Sequence, residues 1–117
     1  MTNREKTVLN TYSVNGCALT LSNLKTGGLS CYLAEIAIVL DYKQDILEPE
    51  AHTFYGSSDS RKDALQRLSY TISQVCRALT ATGDFRNSRR LMGLSTEMLS
   101  LAGSLPYSES QAPSTAA

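Results

Sequence analysis

The sequence predicts an α+β fold in which a three-stranded, mainly antiparallel sheet is followed by a C-terminal antiparallel helical hairpin. Residues 12–55 contain short runs of alternating apolar and polar side chains separated by turn residues, which is typical of strands. From Ser60 to about Leu105, apolar residues instead recur at spacings of three and four, which is typical of helices that bury one face.

The length and composition fit one folded domain. The chain has 117 residues, of which 42% are hydrophobic and 19% charged, enough for a single core without metal or disulfide support. We expect this domain to cover residues 11–103. Residues 1–10 are predicted to form a flexible lead-in, and residues 104–117, which are rich in Pro, Ser, Thr and Ala, a disordered tail.

The first predicted strand contains Cys17, Leu19 and Leu21, which alternate with small or polar residues. A tight turn follows, and its two-residue loop is either Thr26-Gly27 or Gly27-Gly28. Cys31 then lies opposite Ser22 or Leu24, so a Cys17–Cys31 disulfide has the wrong register. We expect the three cysteines to be free thiols in a reducing compartment.

The second predicted strand, residues 29–42, is mostly apolar on both of its faces, which favours a central position in the sheet. Leu29, Leu33, Ile36 and Leu40 also fit a helical stripe, so a helix is the alternative here. The β-branched residues Ile36, Ile38 and Val39 favour the strand. An acidic loop over residues 43–50, interrupted by Pro49, leads to the short third strand at residues 51–55.

The first helix begins at Ser60, which forms a capping box with Asp63. Gly83 suits the C-terminal end of this helix, Asp84 can begin the second, and Gly103 and Pro106 end it. The short connection implies that the helices are antiparallel. The two apolar stripes are Leu65, Leu68, Ile72, Val75 and Leu79, then Leu91, Leu94, Met98 and Leu101.

The charges balance overall but are unevenly placed. The formal net charge is +0, which favours neither nucleic acid nor membrane as a partner. Residues 35–50 carry five acids and one base, whereas residues 61–90 carry seven bases and two acids. Any anion-binding surface is therefore expected on the helices.

Catalytic and metal-binding patterns are missing from the sequence. The single histidine, His52, has no partner near it in sequence and is interpreted as a surface or edge-strand residue. Glu48 and Glu50 flank Pro49 in a loop and are interpreted as a solvated turn rather than an acid/base pair. We therefore expect no enzymatic activity, no cofactor, no metal and no small-molecule substrate.

The segment Gly56-x-x-x-Ser60-Arg61-Lys62-x-Ala64 resembles the start of the last helix in double-stranded RNA-binding domains. That resemblance implies a helix cap at Ser60 and phosphate contacts from Arg61 and Lys62, assisted by the helix dipole. The likeness is confined to this segment, and no first helix of that family precedes the predicted strands.

The favoured function is that of a small non-enzymatic binding or regulatory protein, an adaptor, inhibitor or assembly subunit that forms a homodimer in the cytosol. An opening segment without an apolar run supports the cytosol. The alternative is a nucleic-acid-binding module.

The residues expected at the protein interface are Leu68, Ile72, Val75, Leu79, Phe85, Leu94 and Met98. The residues expected to contact phosphates are Ser60, Arg61, Lys62, Arg67, Arg86, Arg89 and Arg90.

Overall fold

The structure, a computed structural model, describes residues 4–40 and 50–106. Its strands are β1 (Arg4–Val14), β2 (Cys17–Thr26), β3 (Leu29–Leu40) and β4 (Glu50–Ser58), and its helices are α1 (Arg61–Ala81) and α2 (Phe85–Gly103). The strands form one antiparallel sheet in the order β1-β2-β3-β4. The predicted α+β class and the order of sheet before helices are confirmed, with four strands in place of three.

The additional strand is β1, which includes residues 4–10 of the expected lead-in. It joins β2 through a two-residue turn at Asn15 and Gly16, whose φ angles are 48° and 80°. Asn-Gly is a favoured sequence for such a hairpin turn because both positions need positive φ. The polar character of residues 4–10 is compatible with a strand because β1 lies at the edge of an antiparallel sheet with one face open to water.

The register between β2 and β3 follows one of the two predicted loops. Gly27 and Gly28 form the turn with φ angles of 55° and 88°. Leu24 consequently lies opposite Cys31, and all three cysteines are free. A Cys17–Cys31 disulfide is thus excluded, as the register argument predicted.

The ambiguous segment at residues 29–42 is a strand as far as Leu40, so the helical alternative does not apply. β3 pairs with β2 on one side and with β4 on the other, which gives it the expected interior position. Residues 41–49, most of the predicted acidic loop, lie outside the described residues. The third predicted strand is β4, which extends the expected residues 51–55 at both ends.

The core lies between one face of the sheet and the two helices. Both apolar stripes of the helices point inward, and alternate residues of the strands complete the core. α1 packs on β3 and β4, whereas α2 packs mainly on α1 and reaches β1. The fully buried apolar side chains include Leu19, Leu21, Ile36, Ile38, Leu65, Leu68, Ile72, Leu91, Leu94 and Met98.

Gly56 allows α1 to approach β4 very closely. A Cβ atom at this position would lie 2.5 Å from the Ala64 carbonyl oxygen and 2.5 Å from the Leu68 backbone nitrogen. Such distances are far below van der Waals contact, so only glycine fits without a shift of the helix. The glycine of the segment that resembles RNA-binding domains therefore has a packing role in this fold.

The helix boundaries agree with the predicted caps. The Ser60 hydroxyl accepts a hydrogen bond from the Asp63 backbone N–H at 3.1 Å, and the Asp84 side chain accepts one from Asn87 N–H at 3.2 Å. Gly83, with a φ of 86°, lies between the helices as expected. Of the predicted tail, Leu105 packs against the core, and residues 107–117 lie outside the described residues.

Candidate functional site

In the described part of the chain both helices pack on one face of the sheet and leave the opposite face without a helix, although Ser22 on that face is fully buried. Alternation along each strand places one set of residues in the core and the other set on this second face. We call the second set the open sheet face. Its described members are Lys6, Val8, Thr11, Ser13, Ala18, Thr20, Ser22, Leu24, Thr26, Leu29, Cys31, Leu33, Glu35, Ala37, Val39, Thr53, Tyr55 and Ser57.

About half of the residues on the open sheet face are apolar, and most of these lie on β3. Antiparallel sheets with one solvated face normally show polar side chains at the outward positions. Here five of the six outward residues of β3 are apolar, and the sixth is Glu35: Leu29, Cys31, Leu33, Glu35, Ala37 and Val39. Val39 is 45% exposed, and Val8 on the edge strand β1 and Tyr55 on β4 are 57% and 54% exposed. Exposed apolar side chains grouped in this way are typical of a surface that a partner covers.

The charged side chains described on this face form a single ion pair. Lys6 of β1 reaches across β2 to the Glu35 carboxylate on β3. The Glu35 side chain is only 18% exposed, so the pair is partly removed from water. The face therefore has no net charge from its described side chains.

The helical residues predicted to form the protein interface divide into three groups. Leu68, Ile72, Leu94 and Met98 are fully buried within the chain's own core and present no surface to a partner. Val75 and Leu79 are partly buried against that core. Only Phe85 of this set is strongly exposed, at 62%. The apolar stripes of α1 and α2 pack on the sheet and on each other, so they are not available to a partner.

The basic residues predicted at the start of α1 have intramolecular contacts. Arg61 donates a hydrogen bond to the Asn10 side chain at 3.2 Å, and Lys62 donates one to the Leu105 carbonyl at 3.3 Å. Arg67 forms an ion pair with Asp63 at 2.9 Å. Ser60 is buried and caps the helix. This corner can thus be explained by folding alone, with no phosphate required.

The Asp63 carboxylate is the centre of the polar contacts at this corner. It accepts hydrogen bonds from the Ser58 hydroxyl and from Arg67, and these contacts hold the pKa of Asp63 below its ordinary value, with the Ser58 bond the larger cause. A carboxylate in the first turn also interacts favourably with the helix dipole. Asp63 therefore links the end of β4 to the beginning of α1.

The second basic cluster surrounds a recess at the beginning of α2. Phe85, Arg86, Arg89 and Arg90 line an open recess of about 440 Å³. Arg90 also donates a hydrogen bond to the Val39 carbonyl at 2.5 Å, which ties α2 to the end of β3. The structure thus brings together the exposed aromatic ring and the three arginines that the sequence grouped.

A groove of about 480 Å³ runs along the outer side of the helical hairpin. Its floor includes small residues of both helices, among them Cys76 and Ser95. The Cys76 thiol donates a hydrogen bond to the Ser88 carbonyl at 3.4 Å, and burial raises the pKa of this thiol. A neutral, hydrogen-bonded thiol is a weak nucleophile, so the position favours a packing role.

Hydroxyl groups form hydrogen bonds between the two helices, and the apolar periodicity of the sequence does not predict these contacts. Ser69 and Ser95 are buried, their hydroxyl oxygens are 2.7 Å apart, and each lies within 3.1 Å of the other residue's carbonyl oxygen. A similar contact joins Thr80 to Ser88 at 2.6 Å. The available signal was the recurrence of small hydroxyl residues beside the apolar stripes.

His52, the single histidine, lies half-buried on β4 with its ring stacked against Phe54 at a centroid distance of 6.5 Å. Within residues 4–40 and 50–106, no three side chains of the His, Cys, Asp or Glu types converge to hold a metal ion. No helix in that part of the chain could span a membrane.

Comparison of the chain with protein-family models, curated proteins and solved structures found no match. The likeness to double-stranded RNA-binding domains stays confined to the Gly56–Ala64 segment. In the described residues the first element is the strand β1, so no helix precedes the sheet as the first helix does in that family.

Proposed function

We propose that this protein is a small non-enzymatic binding or regulatory protein, an adaptor, inhibitor or assembly subunit that acts in the cytosol through protein–protein contacts as a homodimer. The observation that carries the proposal is the apolar open sheet face. Single exposed hydrophobic residues are ordinary, but a contiguous apolar patch on a folded domain marks an interaction surface.

The exposed aromatic and apolar residues of the helices add to this proposal. Tyr70, Phe85, Met92 and Leu99 are all more than half exposed on α1 and α2. Tyrosine, phenylalanine and methionine are enriched at protein interfaces. A protein that self-associates through its sheet would still present these helical side chains to a second partner.

Light scattering of the purified protein tests the proposal. We expect a discrete homodimer whose mass is the same at about 50 and 200 mM salt, because apolar burial does not release counterions whereas phosphate contacts do. The same samples should be measured with a mixed pool of double-stranded RNA and DNA. A monomer at every concentration would contradict self-association, and salt-sensitive complexes with nucleic acid would favour a nucleic-acid-binding function.

The second candidate function is nucleic-acid binding, and the recess lined by Phe85, Arg86, Arg89 and Arg90 favours it. Arginine beside an exposed ring can contact phosphate and stack on a base. Fluorescence anisotropy with labelled RNA and DNA tests this function. Arg86→Ser with Arg89→Ser should abolish binding, whereas Lys25→Ser with Arg77→Ser, which removes equal charge elsewhere, should leave it intact.

A further inference from the structure

We propose that the partner of the open sheet face is the same face of a second copy of this chain, so that two sheets pack face to face with the helices on the outside. This inference rests on the homodimer in the proposed function and names the surface that forms it. The resulting dimer has four layers, helices, sheet, sheet and helices, and the two sheets share a second core.

The residue pattern of β3 supports burial on both sides of the sheet. Its inward residues Ala34, Ile36 and Ile38 are buried beneath the helices. Its outward residues are apolar apart from Glu35, and of these Leu33 is half-buried whereas Ala37 and Val39 are exposed in the single chain. A strand interior that is apolar on both faces is typical of a sheet packed on both faces.

The charge on the open sheet face is complementary to itself. In a two-fold dimer each patch meets its own copy, so a patch with net charge would repel itself. The described charged side chains, Lys6 and Glu35, neutralise each other within one chain. A basic or acidic partner would have no opposite charge to recognise here, whereas a second copy needs none.

The open sheet face is of the same order of size as a standard dimer interface. Four strands at a spacing of ~4.8 Å cover a width of about 19 Å, and the nine residues of β4 extend over about 30 Å. The flat area is therefore about 600 Å², compared with the ~800 Å² that each partner contributes to a standard interface.

Other modes of self-association would leave this apolar surface in water. Pairing through the helical stripes would require the core residues Leu68 and Ile72 to leave the interior. Pairing through the edge of β1 would extend the sheet without covering its face, and the irregularity between Val8 and Asn10 interrupts that edge. Face-to-face packing alone buries the outward side chains of β3.

A charged substitution among the exposed outward residues of β3 tests the inference. Ala37 is exposed in one chain, so Ala37→Arg can be accommodated by the monomer. In the dimer it would place two unpaired guanidinium groups in an apolar contact, and we expect the dimer dissociation constant to rise at least about 100-fold. Ala78→Arg, the same change at an exposed position of α1, should leave the constant unchanged.

Sedimentation of the three proteins, with circular dichroism as a check on folding, separates the outcomes. The inference is supported if Ala37→Arg is a folded monomer while the wild type and Ala78→Arg are both dimers. A folded Ala37→Arg dimer overturns it and leaves the proposed homodimer standing on another surface. A monomeric wild type overturns both the inference and the homodimer of the proposed function.

A measurement on the wild-type protein provides the test if Ala37→Arg does not fold. Cys31 is half-buried on the open sheet face, whereas Cys17 and Cys76 are buried in the chain itself. Alkylation of Cys31, followed by peptide mass spectrometry, should slow by at least about 10-fold as the concentration rises through the dimerisation range. A labelling rate independent of protein concentration would overturn the inference.

Discussion

Replacing Gly56 with alanine tests the close approach between β4 and α1. The added Cβ would lie 2.5 Å from the Ala64 carbonyl oxygen, 2.5 Å from the Leu68 nitrogen and 2.9 Å from the Leu68 Cα. All three are backbone atoms, so no side-chain rotation can relieve the overlap. The helix must instead move away from the strand by about 1 Å to restore the ~3.5 Å separation of non-bonded atoms.

The expected cost combines two opposing terms. Overpacking of a rigid contact typically costs about 1–3 kcal/mol. Gly56 does not have a positive φ, so alanine would otherwise stabilise the protein by about 0.4–1 kcal/mol through the unfolded chain. We therefore expect a net loss of about 1–2 kcal/mol, which corresponds to a fall in Tm of roughly 4–16 °C for a domain of this size.

Urea denaturation followed by circular dichroism, at one fixed protein concentration, measures this loss. Gly103→Ala is the matched control, because nothing lies within 4 Å of its added Cβ and its φ is not positive. That substitution, at the end of α2, should be neutral or stabilising by up to about 1 kcal/mol. If Gly56→Ala were as stable as wild type, the proximity of α1 to β4 would not be the reason for glycine here.

Three further predictions concern single polar side chains. Ser22→Ala should leave the free energy of unfolding unchanged or raise it by up to about 1 kcal/mol, because the buried Ser22 hydroxyl has no hydrogen-bond partner among the described residues. Ser69→Ala should instead lower it by about 1 kcal/mol, because the Ser69 hydroxyl bonds to Ser95; urea denaturation compares the two variants, and equal changes would refute the distinction. Asp63→Asn should be less stable than wild type at neutral pH. A carboxylate with a lowered pKa stabilises the fold above its unfolded pKa of about 4, so the difference should disappear as the pH falls through the folded pKa. Denaturation midpoints between about pH 2 and 7 measure this convergence, and a constant difference would contradict it.

The helices could be predicted in detail because their signals are local. The Ser60 cap, the spacing of Leu65, Leu68 and Ile72, and the Gly83 break each act within a few residues of chain. Such signals do not depend on how distant segments pack. The predicted α1 and α2 therefore have nearly the observed boundaries.

β1 was not predicted because its stability comes from pairing rather than from its own sequence. The segment from Glu5 to Thr7 is polar and charged, and it is held by β2 across the turn at Asn15 and Gly16. That Asn-Gly pair was the one local signal of the hairpin. It correctly indicates the turn once two flanking strands are considered together.

The predicted interface residues illustrate a different difficulty. An apolar helical stripe is equally suited to its own sheet, to a neighbouring helix or to another molecule, and only the tertiary structure decides among them. Here Ile72 and Met98 are fully buried in the core, whereas the exposed Phe85 lies beside the arginines. The same limit applies to Arg61 and Lys62, whose partners Asn10 and Leu105 are far away in sequence.

The apolar outward residues of β3 could be identified from the sequence, but what covers them could not. The two helices are joined by the short segment Thr82–Asp84 and are bonded to each other through Ser69 and Ser95, so both lie on the same side of the sheet. A single hairpin of this kind can bury only one face. Because the residues of β3 are mostly apolar on both faces, its sequence favours burial of both, and the proposed second copy would bury the face that the helices leave open.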